Sequence, residues 1–565
     1  MKARIVSSLV SLAFAALVMV TVTSVGCGGG CRGDKAPLRY VSSDAMVVIE
    51  IPSISRGVKH ILGFVERFKE GVLANSLIAA KKALLSKQLG FDIENPDAYR
   101  KKGIDPRASA IVSVSGEGVT TLVMAIRDAK ALDAYLRDLL TRQLSSAVSF
   151  KDEMKDGLKI TSIVKQGGAM GPQVSWTFHK KHLLFAGGKG DIPSALVKAT
   201  HVTRSMKDHK TFQRLRKRLG TVDTFIYVDG TALRHRVDSR FARRLKDASE
   251  SRRHYLSSQH DIVKGVFSYF NGWTLGVEFR PKRISLRSAL AVPKARIKEV
   301  QEIFSGKGKG PAFGKFIGPD ALFVGRGTLQ LGSIFHRVLD LIPPRSKRGV
   351  YRLLERVERR YNLNVEKDIL ALFAGRYGFA IYAPKTEALQ QPPTLLRDLS
   401  GMFQGVFFVQ LTDMKKAREF LDRLERILVM APLDIRTRTE GKDKIFSLER
   451  DNKRLLSWAL VKNLMVVASD ERMEGTLSLI RRGGKNVLSE VRSSRAKGLL
   501  RDGNSNVIYQ DLAKTLDVVR AVNLPGKVKL ILSPILSGLS KFDDLVVGFL
   551  AEDEGLYGEV TVNLK

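Results

Sequence analysis

The chain has 565 residues, of which 44% are hydrophobic and 27% are charged. This mixture is typical of a globular protein and excludes a collagen-like or wholly disordered chain, and the length allows about two to four domains. Lys and Arg number 94 against 57 Asp and Glu, a net charge of +37. The two cysteines, Cys27 and Cys31, lie near the N-terminus, which excludes a disulfide framework and a cysteine-rich metal site in the rest of the chain.

The first 26 residues have the pattern of an export signal. Lys2 and Arg4 form a short basic head, and the following residues 5–25 carry no charge and are mostly Val, Leu, Ala, Ser and Thr. A basic head before an uncharged apolar stretch is the usual layout of a secretory signal. We therefore predict a lipoprotein-type signal peptide over residues 1–26.

The end of this segment predicts a tether to the membrane. Gly26 and Cys27 follow small residues, as at the processing site of bacterial lipoproteins, although Ser24 stands where that site commonly carries Leu. We predict lipidation of Cys27 and a flexible tether over residues 27–39. Two alternatives stay open. The apolar segment is long enough to persist as an uncleaved membrane anchor. It could also be cleaved without lipidation, which would release a secreted protein.

The rest of the chain contains an internal repeat with an offset of 282 residues. Three short matches share this offset and include two of the three tryptophans, which makes a chance match improbable. The matches are Ser175-Trp176 with Ser457-Trp458, Ile226-Tyr227 with Ile508-Tyr509, and Asp229 with Asp511. We predict two homologous domains over residues 40–300 and 316–565, joined by a linker at 301–315 that is rich in Gly and Lys.

Hydrophobic periodicity gives the elements of the first half in chain order. Apolar, β-branched runs predict strands at 46–51, 111–114, 119–126, 147–151, 158–164, 173–178, 182–186, 223–229, 264–269, 272–280 and 283–292. Helical spacing predicts helices at 54–68, 129–139, 191–200 and 208–218, and a basic helix after residue 229. Consecutive hairpins separated by helices predict an α+β fold with a largely antiparallel sheet. The second half has the same order, with an added loop at 384–401.

The repeated tryptophans and aspartates have structural and functional interpretations. We interpret Trp176 and Trp458 as core residues on matching strands, with a ligand platform as the alternative. Asp229 and Asp511 each end an apolar strand just before a helix, so we predict that both cap helices. The alternative is a carboxylate site, which requires a second acid about 5–10 Å away.

Motifs for other chemistry are weak. His179 and His182 form an H-x-x-H pair, which we interpret as a solvent-facing turn, because the cations Lys180 and Lys181 beside it disfavour a metal. The glycines of 187–190 lack the spacing of a phosphate-binding loop. The sequence also lacks the G-x-S-x-G and H-E-x-x-H patterns of hydrolases and metalloproteases. We expect no metal and no cofactor.

Positive charge is densest between residues 234 and 253, and its counterpart at 516–540 is largely apolar. The basic residues of this run are Arg234, Arg236, Arg240, Arg243, Arg244, Lys246, Arg252 and Arg253. They predict an anion-binding face, with a merely solvated helix face as the alternative.

The layout resembles that of uncharacterised bacterial envelope lipoproteins and periplasmic proteins with a duplicated α+β domain. The resemblance rests on the lipoprotein-like start, the opening SSDAMVVIEI (42–51) and the strand-plus-helix unit GVTTLVMAIRDAKALDAYL (118–136). It implies a membrane-anchored protein of the cell envelope that faces the periplasm or the cell exterior. It carries over neither an activity nor a catalytic residue.

We therefore expect a non-catalytic, membrane-tethered envelope protein. Its expected partner is an anionic lipid, an acidic polysaccharide or another envelope protein. Nucleic acid is the least favoured partner, because the signal directs the chain away from the cytoplasm. Two alternatives are an envelope hydrolase or carbohydrate-active enzyme that uses the strand-end carboxylates, and a structural scaffold.

Overall fold

The computed structural model divides the chain into two compact units. The first comprises Met1–Ser249 and Phe267–Val292, and the second comprises Glu250–Val266 and Pro293–Lys565. Apart from isolated positions between them, the structure describes residues 36–65, 86–92, 94–144, 148–165, 174–304, 310–384, 404–429, 434–440, 443–450, 453–501, 506–522 and 536–565. The predicted signal peptide, Cys27, Cys31 and most of the predicted loop at 384–401 lie outside these residues.

The first unit contains ten strands and six helices within the described residues. The strands are β1 (Val47–Ile51), β2 (Ala110–Val114), β3 (Val119–Ala125), β4 (Val148–Lys155), β5 (Leu158–Lys165), β6 (Val174–His179), β7 (His182–Gly188), β8 (Thr224–Asp229), β9 (Gly272–Arg280) and β10 (Arg283–Ala291). The helices are α1 (Ile54–Val65), α2 (Pro96–Lys101), α3 (Ala129–Leu144), α4 (Ile192–Thr200), α5 (Lys210–Leu219) and α6 (Gly230–Lys246).

Every strand pair in the first unit is antiparallel. The pairings give the strand order β10-β9-β8-β1-β2-β3-β7-β6-β5-β4. β1 thus lies between β2 and β8, where Glu50 is opposite Ile111 on one side and Phe225 on the other. Helices α1, α4 and α5 pack on this sheet, which confirms the predicted α+β class.

The second unit contains nine helices and ten strands within the described residues. The helices are α7 (Glu250–Phe267), α8 (Lys294–Ile303), α9 (Leu331–Leu341), α10 (Pro344–Tyr361), α11 (Met414–Val429), α12 (Asp470–Arg482), α13 (Val487–Glu490), α14 (Ser494–Arg501) and α15 (Leu512–Ala521). The strands are β11 (Ala321–Thr328), β12 (Phe373–Tyr382), β13 (Gln404–Leu411), β14 (Asp434–Glu440), β15 (Asp443–Arg450), β16 (Lys453–Val461), β17 (Leu464–Ala468), β18 (Asn506–Asp511), β19 (Phe542–Glu552) and β20 (Gly555–Leu564).

The strands of the second unit pair in the same sequence as those of the first. Their order is β20-β19-β18-β11-β12-β13-β17-β16-β15-β14, and every pair is antiparallel. β11 therefore occupies the position of β1. Arg326 of β11 lies opposite Val507, as Glu50 lies opposite Phe225, and Val507 and Phe225 each precede their capping aspartate by four residues.

Both predicted core tryptophans are buried, which confirms that interpretation. Trp176 is fully buried, and its indole Nε1 donates to Asp133 Oδ1 on α3 at 2.8 Å. Trp458 is buried and stacks on Phe446, with ring centroids 5.8 Å apart. Leu421 of α11 joins the same cluster. Each tryptophan thus anchors a helix to the neighbouring strands.

β11 carries glycines where β1 carries isoleucines. A Cβ atom at Gly325 would lie 2.1 Å from Phe379 Cε1, and one at Gly327 would lie 2.6 Å from the Tyr377 hydroxyl. The rings of β12 therefore lie directly over the backbone of β11. Aromatic side chains that cover strand glycines in this way replace the packing that the missing side chains would give. The two units share a strand order but fill this sheet face differently.

One predicted strand is wrong. Residues 264–269 were expected to be extended, but α7 continues to Phe267. Leu256, Val263 and Phe267 follow helical spacing, and Leu256 is buried, so Phe267 continues an apolar side of the helix. The short apolar run was ambiguous because a buried strand and the end of a helix have the same local pattern. The predicted domain boundaries and the linker at 301–315 stay predictions.

Candidate functional site

The basic helix α6 is fixed at its first residues. Asp229 accepts a hydrogen bond from the Ala232 N–H at 2.7 Å, which satisfies an amide that the helix leaves free, and its other oxygen accepts the Tyr227 hydroxyl at 2.7 Å. A Cβ atom at Gly230 would lie 2.5 Å from the Phe270 carbonyl oxygen, so only glycine fits there. These contacts set the direction in which α6 leaves the sheet.

Some cations of α6 already donate hydrogen bonds within the protein, and others do not. Arg234 is half-buried and donates to the Phe267 carbonyl at 2.6 Å, and Arg236 donates to the Gly116 carbonyl at 3.1 Å. The exposed cations farther along α6 are Arg240, Arg243, Arg244 and Lys246. Of these, Arg240, Arg244 and Lys246 form no ion pair with any residue that the structure describes. Their charge is available to an anion outside the chain.

The eight predicted basic residues lie on two helices. Six are on α6, whereas Arg252 and Arg253 are exposed near the start of α7. The residues of α7 up to Val266 belong to the second unit. The structure therefore places an exposed group of cations on α6, and anion binding by all eight residues stays a prediction.

The repeated aspartates both cap helices, as predicted. Asp511 accepts from the Lys514 N–H at 2.9 Å, and the Lys514 ammonium lies 3.5 Å from its second oxygen. In the first unit, burial and then the nearby charge of Asp229 raise the pKa of Tyr227 above its usual range, so this phenol stays protonated and donates to the carboxylate. Both carboxylates are therefore occupied by structural contacts, which removes the observation that favoured a hydrolase.

An aspartate–histidine pair that the sequence did not predict lies in the first unit. His60 Nδ1 is 2.7 Å from Asp223 Oδ1, and Asp223 is buried. The Arg280 guanidinium lies 3.3 Å from His60 Nε2, and because a guanidinium only donates, this nitrogen accepts and Nδ1 carries the proton. Asp223 also accepts from the Phe279 N–H at 2.8 Å. With both ring nitrogens engaged, the pair ties α1 to β9 rather than offering a free base.

The H-x-x-H pair belongs to the β6–β7 hairpin. His179 and His182 are opposite each other, and the turn between them places Lys180 and Lys181 at φ 44° and 62°. His182 is buried against Tyr40, with ring centroids 5.0 Å apart, so the interpretation of a solvent-facing turn is wrong for this residue. Burial and then the charge of Lys180 lower the pKa of His179. The imidazole rings of His179 and His182 both pack against the ring of Tyr40, which is a structural role.

A metal ion would need a group of side chains that could bind it, and a substrate would need a cavity that could hold it. Among the residues that the structure describes, no three His, Cys, Asp or Glu side chains lie together in a way that could hold a metal ion. A cavity of about 260 Å³ in the second unit is lined mainly by apolar side chains. Its walls include Leu331, Phe373, Tyr377, Phe407 and Val409. It therefore offers apolar contact and no set of catalytic groups.

The sequence reasoning missed a second basic helix, α10. Residues 344–361 contain seven Lys and Arg and two Glu. Val350, Leu354 and Val357 repeat at helical spacing along one side, and Arg352 and Arg356 are exposed on the other. Counting charge together with the 3.6-residue period would have revealed this helix, whereas charge density alone led to residues 234–253.

Comparison with known proteins identifies the family. A family model described as a protein of unknown function, DUF3352, matches residues 109–537, more than half of the chain. The chain belongs to the DUF3352 family. This DUF3352 member is thus part of an uncharacterised family, as its layout predicted. No curated protein matches the DUF3352 chain in sequence.

Solved structures similar to this DUF3352 member are crystal forms of a protein named TP0453. Forms I, III and IV share 10%, 10% and 9% identity with the chain and cover 45%, 48% and 45% of it. The chain covers 78%, 87% and 80% of those proteins, with TM-scores of 0.23, 0.24 and 0.23. Scores this low do not establish a shared fold. In the described ranges, no helix has both the length and the apolar character that crossing a membrane requires.

Proposed function

We propose that this protein is a non-catalytic, membrane-tethered lipoprotein of the cell envelope that binds an anionic surface. The observation that carries the proposal is the group of exposed cations on α6. Arg240, Arg244 and Lys246 have no ion-pair partner in the described part of the chain. An anionic lipid or polysaccharide would supply the missing negative charge.

The tether follows from the N-terminal sequence. The uncharged residues 5–25 followed by Cys27 provide a signal and a lipid attachment point. A protein held at the membrane surface needs little intrinsic affinity for anionic headgroups, because the tether raises their effective concentration near it. Each Lys or Arg close to such a surface contributes about 1 kcal/mol of attraction. Three unpaired cations on one helix would then contribute about 3 kcal/mol of attraction.

The two units are proposed to descend from one duplicated domain. Their identical strand order supports this, as do two equivalent hydrogen bonds between buried serines. Ser162 and Ser175 lie 2.8 Å apart through their hydroxyl oxygens, and so do Ser447 and Ser457. On this view, the basic helix α6 is a specialisation of the first copy, because residues 516–540, the counterpart of the basic run in the second copy, are largely apolar.

The tether is tested by replacing the cysteines one at a time in the full chain. Cys27→Ser is expected to move the protein from the membrane fraction to the soluble fraction, and Cys31→Ser, the matched control, is expected to leave it in place. If Cys27→Ser stays with the membrane, the lipid tether is refuted and the uncleaved anchor is supported.

The anionic surface is tested with the full chain reconstituted in phosphatidylglycerol vesicles and in phosphatidylcholine vesicles. Hydrogen exchange of the α6 amides is expected to slow only on the anionic vesicles, and this protection is expected to fade as salt rises from 0.05 to 0.5 M, because screening weakens the attraction (the Debye length falls from roughly 14 to 4 Å). The double variant R240Q/R244Q should lose the protection. The control K415Q/K416Q, two exposed cations of α11, should keep it. Equal protection in both double variants would refute the role of α6.

A further inference from the structure

Exposed apolar side chains are concentrated on three helices of the second unit. Half of the large apolar side chains that are exposed in the described part of the chain lie on α7, α9 and α10. They are Tyr255, Ile262 and Val266 on α7, Leu331 and Val338 on α9, and Tyr351 and Leu353 on α10. A concentration of this kind marks an interaction surface, because single exposed apolar residues are normally scattered.

The exposed residues of α7 form a stripe. Tyr255, Ile262 and Val266 are spaced by seven and four residues, which places them on one side of the helix. Leu256 lies about 100° around the helix from this stripe and is buried. α7 therefore has two apolar sides, one that packs within the unit and one that faces solvent.

Direct contacts connect the three helices. A Cβ atom at Gly265 of α7 would lie 2.5 Å from Leu341 Cδ2, so α7 and the end of α9 touch. The Lys347 ammonium near the start of α10 lies 3.1 Å from Asp340 Oδ1 of α9. The helices that carry the exposed apolar side chains therefore touch one another, and we name them the α7–α9–α10 group.

The charge of this group is positive. The three helices together contain eleven Lys and Arg and five Asp and Glu, and seven of the eleven are on α10. Arg352 and Arg356 of α10 are exposed and form no ion pair with a described residue. Leu353, which is 55% exposed, lies directly beside Arg352. Long cationic side chains that flank exposed apolar ones can reach headgroups while the apolar ones enter the acyl boundary.

We infer that the α7–α9–α10 group docks on an anionic lipid bilayer, with Leu353 inserted below the headgroups. The inference deepens the proposed function and rests on its membrane tether, but it adds a second contact, in the second unit, and adds insertion to attraction. Net positive charge favours the anionic bilayer over a neutral one, and the exposed apolar side chains favour a bilayer over a soluble polyanion, which offers no apolar phase.

The test places a reporter on α10 in the full chain. The variants L353W and M154W are reconstituted in vesicles that contain brominated phosphatidylcholine, with or without phosphatidylglycerol, and the fluorescence of the parent chain is subtracted. Met154 is 70% exposed on β4 of the first unit, so M154W is the matched control for a residue that is merely near the membrane. L353W is expected to be quenched at least threefold more than M154W, and only with phosphatidylglycerol present.

A charge variant completes the test. R352Q/R356Q removes two charges, each worth about a fivefold change, so it should weaken docking about 25-fold and bring L353W quenching down to the M154W level. Equal quenching of L353W and M154W in anionic vesicles would overturn the inference, and so would equal quenching of L353W in both lipid mixtures. R240Q/R244Q on α6 separates the two ideas. If R240Q/R244Q leaves L353W quenching intact but removes the protection of the α6 amides, both the α6 contact and the docking of the α7–α9–α10 group stand. If the α6 amides of the parent chain show no protection, only the function assigned to α6 falls.

Discussion

Removal of Arg216 from α5 should strongly destabilise the first unit. Glu50 lies on the inner strand β1 and is 1% exposed. Arg216 Nε donates to Glu50 Oε2 at 2.6 Å, and its Nη2 donates to Oε1. The substitution R216M keeps the length of the side chain but leaves a buried carboxylate with neither hydrogen bond. A buried charge that loses its partner is strongly destabilising.

The expected magnitude follows from these two bonds. A hydrogen bond to a charged group contributes about 1.5–3 kcal/mol, so two give about 3–6 kcal/mol. Arg216 keeps about 20% exposure, and water can partly replace it, which favours the lower end, about 3 kcal/mol. E50L/R216M removes both charges and should recover most of this loss, because apolar replacements of buried ion pairs are commonly neutral or stabilising.

Native-state hydrogen exchange of the amides in β1, β2 and β8 measures the effect, because it reports the opening free energy of this part of the sheet. The matched control is K217M, which removes an exposed cation from the same helix and should change the opening free energy by less than about 0.5 kcal/mol. The reasoning is refuted if R216M costs less than 1 kcal/mol (roughly the cost of an average substitution), or if E50L/R216M is as destabilising as R216M alone.

Three further predictions concern other sites. Burial raises the pKa of Asp544, so the folded state binds this proton more tightly than the unfolded state. The stability that the bound proton contributes is lost as pH rises through the folded pKa. D544N should therefore raise the denaturation midpoint at pH 7 but not below pH 4. G325A should be strongly destabilising, because its Cβ meets Phe379, and the double variant G325A/F379L should unfold at a higher temperature than G325A. Burial acts to raise the pKa of Asp152, but hydrogen bonds led by Arg137 hold it at about 2; R137M should raise it toward about 3.9, as measured by carboxyl NMR titration, and an unchanged value would contradict the assignment.

The parts of the fold that could be predicted are those set by local physics. Asp229 and Asp511 cap helices because the carboxylate and the free amides lie within three residues of each other in the chain. The strands up to Asp229 followed from apolar, β-branched runs. The antiparallel class followed from the succession of hairpins. None of these required knowledge of which strands meet across the unit.

The parts that could not be predicted depend on distant residues. The hydrogen bond between His60 and Asp223 joins positions 163 residues apart, and no local pattern marks either one. The end of α7 was mistaken for a strand because Val266 and Phe267 are β-branched and aromatic, whereas packing along the helix decided the outcome. α10 was missed because charge was counted without its angular position.

The buried charges Glu50 and Arg326 have a consequence for assembly of the chain. β1 and β11 have matching pairing positions, so a folding chain could exchange one for the other between units, a common error in proteins with similar segments. An exchanged β11 would bring a second cation next to Arg216, and an exchanged β1 would bring a carboxylate to the place of Arg326, which donates to the Leu500 carbonyl at 3.3 Å. A carboxylate cannot donate to that carbonyl, so the exchanged strand would be disfavoured in either unit. Opposite charges at one register position would thus favour the correct strand in each sheet over the exchanged one.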